Sequence, residues 1–505
     1  MPARIIVARH SRHVWSFRAW LAVTLGTVST VACLDPLGAP RGRLPETSLA
    51  LAEENLRVGS REWDTGLYSG SDTIISGYVL PFTLQAADTL SVFINAGTGR
   101  VVVSIYRLGW YGGAGARLIT KRVVGSVRKQ PPCSSPFPGP SVCAWDVTDR
   151  FVVTSQWVPG VYIAKFTDTL GHAHAYPFVV RTAHQAAFVV ILPFATYEAY
   201  NAWGGANLYR GLDSTGQVSY SDRATKVSFA RPFTWSAFWN HFLNVDYLLL
   251  RWLEEKSYDV SYITDYDFHL GRGASPDPVA WLFAGHSEYW SWPMWLRANA
   301  ARAQGIGLGF LGGNDIYWLV RFENVSVNGF EAPVVVCYKD ASKDPQGATQ
   351  GLATVLFRSP PNNTPENSLV GVMTYPRAYV ARAPVDLVVA HGSDPLMAGT
   401  GLTTGQHLPQ VAGWEGDRVV DNGSTPAGIR VLFESPYVPV GDSVPSGLLE
   451  ATVYEWPASG SLVYASGEPG FAWGLSTYGE RVAWPPVQKF LANLMDAFWT
   501  AAHHR

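Results

Sequence analysis

The sequence is poor in cysteine and in charge. Four cysteines occur in 505 residues, none of them spaced Cys-x-x-Cys, which excludes a zinc ribbon. Charged residues make up 15% against 47% apolar, the balance of a packed globular chain and not of a disordered one. The formal charge is only −2, so no basic excess exists to attract nucleic acid. A Gly-x-Ser-x-Gly elbow, a His-Glu-x-x-His helix and a P-loop are all absent. Gly305-Ile306-Gly307-Leu308-Gly309 lacks the third spacing of a dinucleotide loop, and Gly399-Thr400-Gly401 reads as an ordinary turn. These absences count against a serine hydrolase and against an NAD enzyme. There is no fixed-period repeat and no low-complexity block.

What is present starts with twenty tryptophans, which imply aromatic-lined clefts or a β portion rich in aromatic pairs. Residues 1–33 read as an export signal: Arg4, Arg9, Arg12 and Arg18 precede an apolar run, Ala19 to Ala32, too short to span a bilayer comfortably. Without those arginines the formal charge becomes about −6, further from any polyanion partner. The run ends Thr30-Val31-Ala32-Cys33, similar to a bacterial lipoprotein signal in which Cys33 is lipidated and ties the protein to a membrane. Thr30 stands where such signals usually carry leucine; a plain cleaved signal and an uncleaved anchor are the alternatives. An exported, periplasmic or cell-surface protein is therefore expected. An oxidising compartment allows a Cys133–Cys143 disulfide across a Pro- and Ser-rich loop. Cys337, in Val334-Val335-Val336-Cys337-Tyr338, reads as a small buried hydrophobe.

The length suggests two or three domains. Residues 34–60 read as a linker. From 61 to 181, alternating runs such as Thr83 to Asn95, Arg100 to Leu108 and Val161 to Phe166 predict an Ig-like antiparallel sandwich. From 182 to 505 the pattern changes. Apolar strands at Ala187–Leu192, Asp259–Thr264, Val279–Ala284 and Ile306–Leu311 alternate with helices at Val245–Lys256 and Pro293–Gln304, with Gly305 as the residue after the second helix. This predicts an α/β core of flavodoxin or glutamine-amidotransferase-like type with a mostly parallel sheet. A β-rich segment at about 331–465, a last strand at Ser461–Ala465 and a closing helix at Val487–Trp499 follow.

In such a sheet, ligands gather beyond the C-terminal strand ends. Gly285-His286-Ser287-Glu288-Tyr289-Trp290 leaves the apolar strand Val279–Ala284 there, and Asn314 follows Phe310-Leu311-Gly312-Gly313. Tyr200 follows the strand ending Ile191-Leu192-Pro193. Each has a plainer reading: His286-x-Glu288 as a capped strand end, Tyr200 and Tyr220 as packing tyrosines, Asn314 as a left-handed turn residue, Glu415 as a partner for Arg418. Together they mark one edge of the sheet.

Tyr200-Asn201-Ala202-Trp203-Gly204-Gly205, Gly285 to Trp290, Phe310 to Asn314 and Gly413-Trp414-Glu415 resemble the large (β) subunit of N,N-dimethylformamidase and its relatives. Tyr106-Arg107-Leu108-Gly109-Trp110-Tyr111-Gly112-Gly113 resembles the sandwich that precedes the core in those relatives. The resemblance covers roughly residues 60–500. It implies hydrolysis of a small amide at a mononuclear Fe(III) held by two tyrosines and a glutamate, which fall on Tyr200, Tyr220 and Glu288. His286 and Asn314 match polar residues beside the metal, and Glu415 a further carboxylate of the site. In that reading the metal polarises a carbonyl, His286 is base or proton shuttle, and Asn314 orients the substrate or stabilises an oxyanion. The formamidase is not exported and works with a small subunit, so this chain's leader argues against dimethylformamide as its substrate. A homo-oligomer is compatible with the sequence. The competing expectation is a non-catalytic surface or glycan-binding protein on a degenerate core, suggested by the sandwich and the tryptophan content.

Overall fold

The computed structural model describes residues 48–68, 74–97, 99–184, 186–273, 277–374, 384–437 and 447–504. The signal-like residues 1–33 lie outside them. Within the stretch expected as linker, α1 (Leu49–Asn55) is capped by Ser48, whose side chain accepts from Leu51 N. It buries Glu54 against Arg117, at 2.6 Å.

Eight strands follow: β1 (Ile75–Leu80), β2 (Thr83–Leu84), β3 (Thr89–Ala96), β4 (Val101–Leu108), β5 (Ala116–Val124), β6 (Asp149–Val152), β7 (Gly160–Asp168) and β8 (Ala173–Val180). They form two sheets, β1-β3-β6 and β2-β8-β7-β4-β5. Within them all pairings are antiparallel except β2 with β8. The sheets close on each other so tightly that a Cβ on Gly77 of β1 would lie 2.5 Å from the Phe166 ring of β7. Cys133 and Cys143 are joined in a disulfide, and Cys337 is free and buried.

The second half opens with β9 (Phe188–Leu192) and α2 (Phe194–Tyr200). A short hairpin, β10 (Gly211–Leu212) and β11 (Val218–Ser219), precedes β12 (Lys226–Ser228). Then come α3 (Trp235–Ala237), a π-helical stretch Phe238–Asp246, α4 (Tyr247–Glu255), β13 (Val260–Thr264), α5 (Asp265–Leu270), β14 (Ala280–Gly285), β15 (Tyr289–Ser291) and α6 (Trp292–Ala303). After them lie β16 (Gly307–Gly312), β17 (Trp318–Val327), β18 (Phe330–Val336), α7 (Asn367–Val370), β19 (Val385–Val389), β20 (His407–Ala412), β21 (Arg430–Tyr437), β22 (Gly447–Trp456), β23 (Ser461–Ala465) and α8 (Pro485–His503).

The expected flavodoxin or glutamine-amidotransferase-like core, with its mostly parallel sheet, is not what forms. The structure is 34% strand and 21% helix, with mixed and antiparallel sheets. The largest sheet has nine strands in the order β13-β9-β14-β16-β23-β22-β21-β19-β20. Its first four pairings are parallel and its last four antiparallel. The segment read as a β-rich insertion supplies the antiparallel half. Parallel neighbours need long crossovers. Between β19 and β23 the described residues offer no α-helix to make one, so the strands return on themselves. A second sheet, β12-β18-β17-β15, adds one parallel pairing, β15 with β17. No helix among the described residues is long and apolar enough to cross a membrane.

The two halves meet through a buried fork. Both guanidinium ends of Arg107, in β4, bind Glu254, in α4, at 2.9 and 3.1 Å, and neither side chain is exposed.

Candidate functional site

Three elements end at one place. β14 stops at Gly285, which takes φ +51° and brings the chain back past Asp246; a Cβ there would lie 2.0 Å from Asp246 Oδ1. β16 stops at Gly312, where a Cβ would lie 1.3 Å from the Gly285 carbonyl oxygen. Glycine at both positions lets the strand ends approach closely enough for His286, Glu288 and Asn314 to share a floor. Asn314 itself takes φ +54°. Its backbone N donates to Asp417 Oδ2 at 3.0 Å, and Thr374 Oγ1 lies 2.6 Å from both Asn314 Oδ1 and Asp417 Oδ1.

Tyr200 is the last residue of α2, and Tyr209 lies one tight loop later. Asn207 fixes the spacing between them. Its amide donates to the Tyr200 carbonyl at 2.8 Å, and its oxygen accepts from the Tyr209 and Arg210 N–H groups at 2.9 Å each. The two rings come to 4.8 Å. Arg231 holds the loop from below, donating to the Trp203 carbonyl at 2.9 Å and the Glu198 carbonyl at 3.0 Å while pairing with buried Glu198.

The polar heads converge. Tyr209 Oη donates to Glu288 Oε1 in a short hydrogen bond. Tyr200 Oη donates to Glu415 Oε1 at 3.3 Å, and Asn314 Nδ2 donates to Glu415 Oε2 at 2.5 Å. His286 Nε2 lies 3.0 Å from Glu415 Oε2 and 3.5 Å from Glu288 Oε2, yet neither contact has hydrogen-bond geometry, and Glu288 Oε2 is buried without a partner among the described residues. One ligand atom from each of His286, Glu288 and Glu415 falls within 4.8 Å of the others. A buried carboxylate oxygen without a hydrogen-bond partner needs an explanation, and a cation beside it would supply one.

Burial alone would depress His286, but the carboxylates of Glu415, Glu288 and Asp315 outweigh it and hold the imidazolium up to about 9. Glu415 resists the upward pull of burial because His286, Asn314 and Tyr200 stabilise its charge, so it stays below the usual range. Glu288 is raised, by burial first and by Glu415 next, against the opposing pull of His286. Burial and the Glu288 and Glu415 charges push both phenols, Tyr200 and Tyr209, well above the ordinary tyrosine range.

The structure therefore brings together Tyr200, His286, Glu288, Asn314 and Glu415. It does not bring Tyr220. That residue follows the β10–β11 hairpin out into solvent and is 72% exposed. Tyr209 stands against Glu288 instead. Five further residues complete the walls. The Lys339 ammonium lies 3.2 Å from the Tyr209 ring centre and donates to Tyr289 Oη at 2.9 Å. Burial lowers it to about 8. Trp318 Nε1 donates to Tyr209 Oη at 3.2 Å. His241 comes from the π-helical stretch, and its ring packs 4.4 Å from Tyr200 and 4.9 Å from Trp414. Tyr209 lies four residues past the Tyr200-to-Gly205 motif, and nothing in the sequence singled it out. For His241 and Lys339 there was no local signal.

A family model described as N,N-dimethylformamidase beta subunit-like, C-terminal, matches residues 102–483, which include the whole cluster. Comparison with curated proteins found no match. Among solved structures, the chain is similar to a cycloisomaltooligosaccharide glucanotransferase of Paenibacillus sp. complexed with cycloisomaltoheptaose. The likeness has 9% identity and a TM-score of 0.16 over 52% of this chain, and it spans 33% of the glucanotransferase. At that TM-score it bears on neither fold nor function.

Proposed function

This chain belongs to the N,N-dimethylformamidase beta subunit-like family, and on that premise we propose that it is an iron-dependent hydrolase of small amides, opening a C–N bond. The observation that carries the proposal is the buried Glu288 carboxylate: Tyr209 holds Oε1, while Oε2, 3.5 Å from His286 Nε2, has no hydrogen-bond partner among the described residues. Tyr200, Tyr209 and Glu288 would hold the metal. Two phenolates and a carboxylate match the charge of Fe(III), and hard oxygen donors suit a hard cation. The phenols are buried beside two carboxylates, so a cation in their midst is what would ionise them. When bound, the ion would neutralise that charge and supply Lewis acidity toward a carbonyl oxygen.

The proton work falls to the chain's own residues. Glu415, aimed by the Asn314 amide, is the acceptor for a proton from the attacking water. His286, whose Nε2 lies 3.0 Å from Glu415 Oε2, relays that proton to the departing nitrogen. Asn314 is engaged on Glu415 and Thr374, so it positions the carboxylate.

Elemental analysis and visible spectroscopy of the purified protein test this reading. About one iron per chain and a phenolate-to-iron band are expected. Glu288→Ala and Tyr209→Phe should lose both while circular dichroism stays unchanged, and Tyr220→Phe should keep both. Full iron in Glu288→Ala would refute the assignment. The Cys133–Cys143 disulfide supports export to an oxidising compartment, periplasm or cell surface, and the lipoprotein-like run ending at Cys33 supports a lipid anchor there. Fractionation of cells expressing the wild type and Cys33→Ala tests that part, and a cytosolic wild-type protein would end it.

A further inference from the structure

The loop between Tyr200 and Tyr209 is held from two sides. Arg231 grips it from the core through the Trp203 carbonyl. On the other side lies the sandwich loop closed by Cys133–Cys143. Ser141 of that loop is buried and sits so close to Gly204 that a Cβ there would lie 2.1 Å from Ser141 Oγ, and Gly204 takes φ +83°. Two backbone contacts seat the loop on the core beside Arg231. Cys143 N donates to the Ala230 carbonyl at 2.8 Å, and Thr225 N donates to the Pro138 carbonyl at 3.0 Å. Inside the loop, Ser134 and Val142 exchange backbone hydrogen bonds of 2.8 and 2.7 Å, so the disulfide closes an already paired ring.

On both flanks of the Ser141–Gly204 contact the loops part. One cleft of about 160 Å³ opens between Phe137 and Leu212, and a wider one of about 790 Å³ lies beside Cys133 and Trp203. With so little packing there, the seat of the tyrosine loop against the sandwich rests on the Ser141–Gly204 contact, held by the shape of the disulfide-closed ring, and on the Trp203 ring beside His174.

We propose that the Cys133–Cys143 loop is a positioning element of the site: the sandwich reaches across to set where Tyr200 and Tyr209 stand. The proposal takes the tyrosine pair as the site but needs neither metal nor substrate. Its failure would therefore leave the hydrolase reading intact, and failure of that reading would leave it intact.

Hydrogen exchange with mass spectrometry on the full chain tests it, before and after dithiothreitol under native conditions. Cys133 is only half-buried, which gives the reductant access. Two electrons and two protons pass from the dithiol to the disulfide, the S–S bond breaks into two thiols, and the reagent closes into its cyclic disulfide. Exchange within residues 201–210 should rise at least about tenfold, while β7 and β16 keep their rates. The Cys133→Ser/Cys143→Ser variant should show the same rise without reductant and no further change with it. Unchanged exchange at 201–210 with the bond shown open by mass overturns the proposal. So does an equal rise in β7, which would make the disulfide a general stiffener of the sandwich. If the bond resists reductant the double variant decides; if that variant does not fold, the reduced native protein decides.

Discussion

Replacing Arg107 by methionine should strand a charge in the interior. The side chain is unexposed, as is that of its partner Glu254, and its remaining donors are spent on the Val158, Pro159 and Leu108 carbonyls and on Tyr111 Oη. Methionine fills similar volume but leaves the Glu254 carboxylate with Asn55 Nδ2, at 3.3 Å, and the neighbouring Tyr262 hydroxyl. Breaking one side of a buried pair costs about 3–5 kcal/mol, whereas removing both partners for apolar groups is close to neutral. The Asn55 contact puts Arg107→Met at the low end, about 3 kcal/mol, a large share of the ~5–15 kcal/mol that holds a domain. Arg107→Met/Glu254→Met should cost about 1 kcal/mol, since the desolvated carboxylate goes with its partner. Urea unfolding with an unchanged m-value reads both numbers. A single-variant cost below about 1 kcal/mol, or a double variant as costly as the sum of the singles, would show that the Tyr106-to-Gly113 motif does not join sandwich to core through this pair.

Asn207→Ala should cost about 1–3 kcal/mol in urea unfolding, because two N–H groups and a carbonyl lose their buried partner. It should also lower iron content more than Asn207→Asp, which keeps the acceptor; equal iron in both would separate Asn207 from the tyrosine spacing. Gly312→Ala places a methyl on the Gly285 carbonyl and should give little soluble protein, judged by yield and gel filtration against Gly309→Ala. Burial raises Asp265 to about 8, from an ordinary 3.8. Its folded value lies above its unfolded one, so its contribution is full below pH ~4 and is lost as pH rises toward 8. Asp265→Asn keeps an acceptor for Ala195 N and removes that slope. Between pH 5 and 7.5 the wild type should lose up to about 3 kcal/mol relative to the variant, and parallel pH profiles of the two urea midpoints would refute this.

The strands and helices that position the site were legible because each carries its own signal. β9, β14 and β16 are continuous apolar runs ending in Pro193, Gly285 and Gly312-Gly313, and α6 is closed by Gly305 at φ +88°. What these local signals do not carry is which strand lies beside which. β22 and β23 are joined by the Pro457-to-Gly460 turn and pair antiparallel, so the β-rich segment extends the central sheet. Hydrophobic runs buried on both faces look alike in parallel and antiparallel neighbours, and the orientation followed from connection lengths that periodicity does not encode.

The same distinction applies inside the site. His286, Glu288 and Asn314 were readable because strand ends announce themselves. Tyr220 and Tyr209 flank one hairpin, and both carry a phenol within reach of the same family motif. Exposure separates them: Leu212 and Val218 place the hairpin in solvent and Tyr220 goes with it, while Asn207 turns Tyr209 inward before the hairpin begins. That choice rests on an asparagine making three hydrogen bonds to two tyrosine-bearing peptides and their neighbour, a feature with no period and no spacing of its own. If it is the decisive one, moving the turn and not the tyrosine should empty the site. Asn207→Gly should lower iron content to the level of Tyr209→Phe with both phenols still in the chain, and undiminished iron there would assign the geometry to the contacts around the turn, the Arg231 clamp among them.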